Sequence, residues 1–314
     1  MRVIVRDEKI FRIEPSAAPL DIAVDKTIDA SGQFMVPGFS DTHFHPSPKP
    51  EENELLNYLL VANGITSVLT MGERFGENAL EIKRQASNQS PFSPNYYVAG
   101  QMQDASTMPT PEKAREVVRF HRNEGYDFLK VHGNLEKETL LALLEEAEEL
   151  KVPVIGHAQR HLPLGYTLRQ TSIAHMEDIV MVFSDEEKML VPEIGDEQAS
   201  VIARQVKESG IYVTPTLGVD ALINQYSAPD SFQALIRRPE TAFLHGEGDA
   251  IKSDYTSEFF PRINDRYGHQ IGDDVLTQFA TLLQRSIRSE VDWVVCSVTA
   301  GAIAEPIDWP GLLD

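Results

Sequence analysis

Two histidines stand two residues apart in VPGFSDTHFHP, residues 36 to 46, and His43 and His45 are the first residues of this 314-residue chain whose types and spacing suit chemistry. Residues i and i+2 of a strand point to the same side, so both imidazoles can aim into one cavity. Such a pair is also a common way to end a strand with two satisfied polar groups. Three later segments add ligand-type residues near the ends of predicted strands: Lys130 in FLKVHG, His157 in VPVIGHAQ and His175 in TSIAHMED. Four imidazoles can hold one or two divalent ions through nitrogen. Zinc is the default by ligand type, and Mn2+ or Fe2+ would serve as alternatives. An ammonium repels a cation, so Lys130 must lie outside the ligand shell or carry a modification that reverses its charge. Phe128, Leu129 and Val131 around it predict a desolvated strand, where a lowered pKa makes the amine nucleophilic.

The elements that must position these groups follow from hydrophobic periodicity. A hairpin is expected within residues 2 to 13 and a further strand over Asp21–Asp29, together a small β-sheet subdomain over 1–32. A helix over Glu51–Ala62 stops at Asn63-Gly64, and strand 65–71 follows. A helix over Asn78–Ala86 precedes strand 95–101. Thr110 and Pro111 read as the cap and first turn of a helix to Asn123, with Lys113, Arg115 and Arg119 on its wet side. The pattern then becomes regular: strand 127–132, helix Lys137–Leu150, strand 152–158, a short helix Leu162–Arg169, strand 172–176, helix Glu197–Ser209 and strand 211–217. The acidic run EEAEEL at 145–150 is expected to be a solvated helix side.

Strands alternating with helices of about a dozen residues predict parallel βα units. In a (β/α) barrel of TIM type the C-terminal strand ends converge on one mouth, and His43, His45, Lys130, His157 and His175 all fall at or near such ends. A doubly wound sheet gathers ligands only at its switch point. The expected fold class is therefore α/β, a TIM-like barrel, incomplete or distorted, over 33–230, with residues 231–257 as linker or loops.

Composition narrows the function classes. The formal charge, 28 basic against 48 acidic residues, is -20, which disfavours nucleic acid and anionic membrane surfaces and points to a small-molecule substrate. Homo-oligomerisation is left open. The single Cys296 excludes an intrachain disulfide framework and fits a reducing compartment, so a cytoplasmic location is expected. Charges recur through the first fifteen residues, unlike a signal peptide, and no window has the roughly 20 apolar residues of a membrane span.

VDKTIDASGQFMVPGFSDTHFHP, NGITSVLTM, DFLKVHGN, VPVIGHAQ and TSIAHMEDI, in this order and spacing over about residues 1 to 220, resemble the amidohydrolase superfamily of metal-dependent hydrolases, in particular its imidazolonepropionase- and prolidase-like branch. The resemblance implies that His43 and His45 bind a first ion, that Lys130 is carbamylated and bridges two ions, and that His157 and His175 bind the second. It implies hydrolysis of a C–N bond of amide or lactam type through a metal-activated hydroxide. The family also carries an aspartate after its last barrel strand as ion ligand and proton relay. In SVTAG, Thr299 stands in its place, so Lys130, His175 and Thr299 would be the groups at the reacting atoms, with Thr299 a hydroxyl too weakly basic for the relay. An impaired hydrolase and a non-catalytic metal-binding or interaction protein therefore both remain open.

Less is expected of other polar residues. His161, placed in a helix, is a surface group or a substrate contact. His132 is assigned to the side opposite Lys130, behind the site. Glu177 is a candidate partner of His175, and Tyr166, Thr214 and Thr216 are candidates for the mouth.

A different pattern starts near 258, in a segment taken as 258–314. EFFPRINDRYGHQIGDDVLTQFATLLQRSIRSEVD, residues 258 to 292, resembles the front half of a diguanylate cyclase (GGDEF-type) domain, whose guanine contacts would fall on Asn264 and Asp273. Pro261 replaces the usual lysine, and WVVCSVTAG follows where a catalytic loop belongs. The chain is thus composite, as a gene fusion, a truncation or an engineered chimera would each make it, and guanine-nucleotide binding is the third function it leaves open.

Overall fold

The computed structural model describes residues 1–6, 9–47, 50–73, 77–183, 195–217 and 234. Thr299, Cys296, the 231–257 linker apart from residue 234, and the 258–292 segment with Pro261, Asn264 and Asp273 lie outside the described residues, as does the side chain of Glu177.

Residues Met1–Pro37 form one compact unit and Gly38 onward a second. In the first, β1 (Arg2–Arg6) and β2 (Lys9–Glu14) pair antiparallel, and the register shifts between Ile4 and Val5. Arg2 donates to Glu14 at 2.7 Å and Arg12 to Asp21 at 2.5 Å. The strand expected over Asp21–Asp29 is not formed. Its charges at 21, 25, 26 and 29 leave little apolar surface to bury, and Asp29 instead closes a local turn onto Ser31.

The second unit is built from parallel strands. β3 (Phe39–Phe44), β4 (Ile65–Thr70) and β5 (Asn95–Val98) form a three-stranded sheet, and β6 (Leu129–Val131), β7 (Val154–Gly156), β8 (Ser172–Ala174) and β9 (Tyr212–Thr214) a four-stranded one. Bridges Ala99↔Phe128 and Gln103↔Val131 continue the order from the first sheet into the second. The strands thus follow one another in chain order, as successive βα units require. Thr42 on β3 and Thr214 on β9 meet through their hydroxyls at 3.2 Å, a side-chain contact between the first strand of one sheet and the last of the other.

Between the strands lie α1 (Pro50–Ala62), α2 (Ala79–Asn88), α3 (Pro111–Glu124), α4 (Lys137–Leu150), α5 (Leu164–Thr167), α6 (Met176–Met181) and α7 (Asp196–Ser209). Their ends are set by local chemistry. Asn78 accepts from the Glu81 amide at 3.0 Å at the start of α2, and Thr110 from Lys113 at 3.2 Å at the start of α3. Gly125 and Gly210 stop α3 and α7 in the left-handed conformation. No helix among the described residues is long and apolar enough to cross a membrane.

Helices cover the outside of the sheet. Val118, Leu140, Leu143 and Leu144 of α3 and α4 pack on Leu129, Val131 and Val154. Met71, Ala99, Ile155 and Ala174, on or next to β4, β5, β7 and β8, form a separate buried apolar floor. In the acidic run on α4, Glu145, Glu148 and Glu149 are exposed as expected, and Glu146 is the exception. Glu146 is buried and accepts from Arg119 at 2.7 Å and Arg115 at 3.4 Å, because α3 brings its supposedly wet arginines against α4. Burial of such a carboxylate requires these partners.

Candidate metal and hydrolase site

The five groups singled out from the sequence come together at or near the C-terminal ends of their strands. His43 is the fifth residue of β3 and His45 lies just past its end, so strand alternation turns both rings to one side. His157 and His175 follow the last residues of β7 and β8, and Lys130 is the middle residue of β6. Ring centres are 5.3 Å apart for His43 and His45, 4.5 Å for His43 and His175, and 4.8 Å for His157 and His175. These three contacts chain the four imidazoles into one cluster.

Two glycines let Lys130 reach it. Gly156 has φ 131, and a Cβ there would fall on the Val131 carbonyl oxygen and lie 3.0 Å from Lys130 Cδ. Gly72 has φ 92, and a Cβ there would lie 3.3 Å from Lys130 Cγ. The lysine is 1% exposed. Its Nζ has the Met71 sulfur at 3.8 Å as its hydrogen-bond partner among the described residues, a weak acceptor for an ammonium. Burial brings its pKa down to about 8, against a smaller opposing pull from Asp178.

His43 and His175 are held neutral in the same way. Burial lowers His43 far below its usual range, helped by repulsion from His175, Lys130, His45 and His157. His175 is lowered to about 4 by burial, then by His157 and Lys130. A neutral imidazole is the form that ligates a metal.

His175 sits in the left-handed region at φ 66, where a non-glycine residue is strained. Its amide donates to Thr214 O at 2.9 Å, and its Nδ1 lies 2.9 Å from Thr216 Oγ1. Thr216, also left-handed at φ 54, thus lies in the site, while the Thr214 hydroxyl turns to Thr42. Tyr166 instead packs against the α3–α4 core, with Lys137 Nζ 5.7 Å from its ring centre.

His132 belongs to the site side, not behind it. Its ring is 4.9 Å from that of His157, since residues 130 and 132 share a strand face and β6 ends between them. Burial and the charges of His157 and Lys130 lower its pKa. His161 lies in a loop before α5 rather than in a helix.

Two residues that the sequence reading passed over complete the arrangement. Asp178, on α6, takes His157 Nδ1 at 2.7 Å and Arg160 at 2.5 Å and is itself 0% exposed. Each lies three residues after a predicted ligand, in HAQR and HMED, and their opposite charges at equal spacing were the available signal. Buried Gln159 braces the same loop, accepting from Leu135 N at 2.7 Å and donating to Gly133 O at 3.3 Å.

The donor set fits a borderline divalent ion in its chemistry. Imidazoles bound to one ion at about 2.0–2.1 Å put their ring centres about 5 Å apart, near the observed spacings. His43 Nδ1 is buried without a hydrogen-bond partner among the described residues. Yet no three His, Cys, Asp or Glu side chains among those residues gather as ligands around a common point. The buried neighbour they share is Lys130, which can join a ligand set only after its charge is changed.

Comparison with known proteins adds the fold. Bottromycin amidohydrolase is similar in structure with a TM-score of 0.52 at 20% identity, over 80% of this chain and 56% of that one. The present chain therefore spans little more than half the length of that protein. A mutant PTE-like lactonase from Deinococcus radiodurans matches at TM-score 0.38 and 14% identity, over 60% of this chain and 67% of that chain. A phosphotriesterase homology protein from Escherichia coli, complexed with phosphate in its active site, matches at 0.36 and 13%, over 58% and 82%. No curated protein matches the sequence. The diguanylate cyclase GGDEF domain family matches residues 256–296. The fold shared with bottromycin amidohydrolase is α/β with parallel sheets, consistent with a TIM-barrel-like fold.

Proposed function

We propose that this chain is a metal-dependent hydrolase of the amidohydrolase kind, acting on C–N bonds of amide or lactam type. The observation that carries the reading is the convergence of His43, His45, His157 and His175 at the ends of parallel strands, with a buried lysine beside them. His43 and His45 would hold one divalent ion and His157 and His175 a second, with zinc the default and Mn2+ or Fe2+ alternatives. Such an ion supplies a water of lowered pKa and polarises a substrate carbonyl.

The chain's own residues do the rest. The Lys130 amine, lowered to about 8, has a sizeable neutral fraction near neutral pH, and only that form attacks carbon dioxide. The new N–C bond releases one proton and leaves a carbamate, an oxygen ligand in place of a repelling cation. The floor of Met71, Ala99, Ile155 and Ala174 keeps water from below. His132, exposed beside His157, is placed to meet a substrate entering the mouth.

A second reading, an ion-binding protein without turnover, is favoured by Thr299 in the sequence position of the expected acid. Metal analysis of protein purified without chelator tests the shared part. One or more tightly bound divalent ions per chain, lost in His43→Ala, are expected; less than one ion per chain, unchanged by that substitution, overturns both readings. Assays on lactams and N-acyl amino acids then separate them, and turnover that appears only in Thr299→Asp identifies the second.

A further inference from the structure

We propose that Asp178, braced by Arg160, is a positioning residue that presets His157 for its role in the cluster; this rests on reading the cluster as a metal centre. Asp178 Oδ2 accepts from His157 Nδ1 at 2.7 Å and from the Ala158 amide at 3.3 Å. Its Oδ1 accepts from Arg160 Nε at 3.1 Å and from the terminal guanidinium nitrogen at 2.5 Å. Four donors thus occupy a carboxylate that has about four acceptor sites. A carboxylate so engaged has no oxygen left for an ion or a substrate proton, so Asp178 is not a replacement for the acid missing at Thr299.

Its effect passes through His157. An ionised carboxylate only accepts, so the proton of neutral His157 must sit on Nδ1, leaving the Nε2 lone pair as the ligand. His175 and His43 are held differently. His175 Nδ1 faces the Thr216 hydroxyl, which can donate or accept and so permits either tautomer. His43 Nδ1 faces no hydrogen-bonding group among the described residues. Arg160 adds a second constraint: its side chain is 42% exposed, and both of its donating nitrogens converge on Oδ1 from the loop that carries His157, which leaves Oδ2 to the imidazole. A purely structural role would make Asp178 a tie between α6 and that loop, indifferent to which imidazole nitrogen carries the proton.

The test combines imidazole nitrogen NMR of the metal-free protein with Co2+ titration. The full chain should show His157 protonated on Nδ1 and bare on Nε2; the reverse tautomer overturns the inference without any variant. Asp178→Asn, whose amide can turn an N–H toward Nδ1, should mix or reverse the tautomer and weaken Co2+ binding by about 10- to 100-fold. Lower thermal stability with tautomer and Co2+ affinity unchanged would leave only the structural tie and overturn positioning. Should Asp178→Asn fail to fold, Arg160→Gln carries the test, with a mixed His157 tautomer and several-fold weaker Co2+ binding expected, and no change in either overturning the bracing role. Absence of Co2+ binding in the unaltered chain would remove the metal reading, while the tautomer measurement still decides the link between Asp178 and His157.

Discussion

His43 and His157 belong to one cluster of rings, yet they are controlled by different physics. At β3 the environment is mainly desolvation: burial is the largest cause of the lowered His43 pKa, and its Nδ1 meets no hydrogen-bonding group among the described residues. At β7 the imidazole is tied to a buried carboxylate that is tied in turn to an arginine. Burial keeps a ring neutral without choosing its tautomer or heading. A charged hydrogen bond chooses both, at the cost of burying an acid that must itself be paired. The two sides therefore respond to different substitutions.

The largest effect expected on the β3 side is loss of an ion in His43→Ala, read by metal analysis, because the imidazole itself is the group that would hold the ion. Gly156→Ala tests the shared centre: steric conflict with the Val131 carbonyl and Lys130 should cost about 3 kcal/mol in denaturant unfolding and displace the lysine. Lys130→Met should move stability the other way, by about 1–3 kcal/mol in the metal-free protein, since an apolar chain replaces a poorly partnered amine, while ion binding falls. Unchanged stability there would mean that the amine is better solvated than its contacts indicate. The smallest effect is expected of Thr216→Val, which keeps the shape but removes the Nδ1 partner of His175, for about 1 kcal/mol of stability. A Co2+ affinity loss as large as that of Asp178→Asn would erase the distinction drawn between carboxylate and hydroxyl.

The sequence made legible whatever local pattern controls. Thr110, Pro111 and Gly125 mark the ends of α3 by capping chemistry alone, and the spacing of His43 and His45 follows from strand period. Partnerships across the fold were not legible. Glu146 looked like one of several solvated acids until α3 laid Arg115 and Arg119 on it. Asp178 and Arg160 lie 18 residues apart and meet only because β7 and β8 are neighbours. The period that was applied to His43 and His45 also holds for Lys130 and His132, and His132 accordingly sits on the site side.

Lys130 is the one described lysine whose side chain is buried, and this has a practical consequence for labelling. Bulky or charged acylating reagents should leave the nitrogen of this residue, 1% exposed, unlabelled in the folded chain, whereas a small uncharged electrophile is expected to reach it through local opening. Footprinting with such a pair of reagents would read the state of this one amine: silent to the large reagent at all times, and silent to the small one once the nitrogen is already capped.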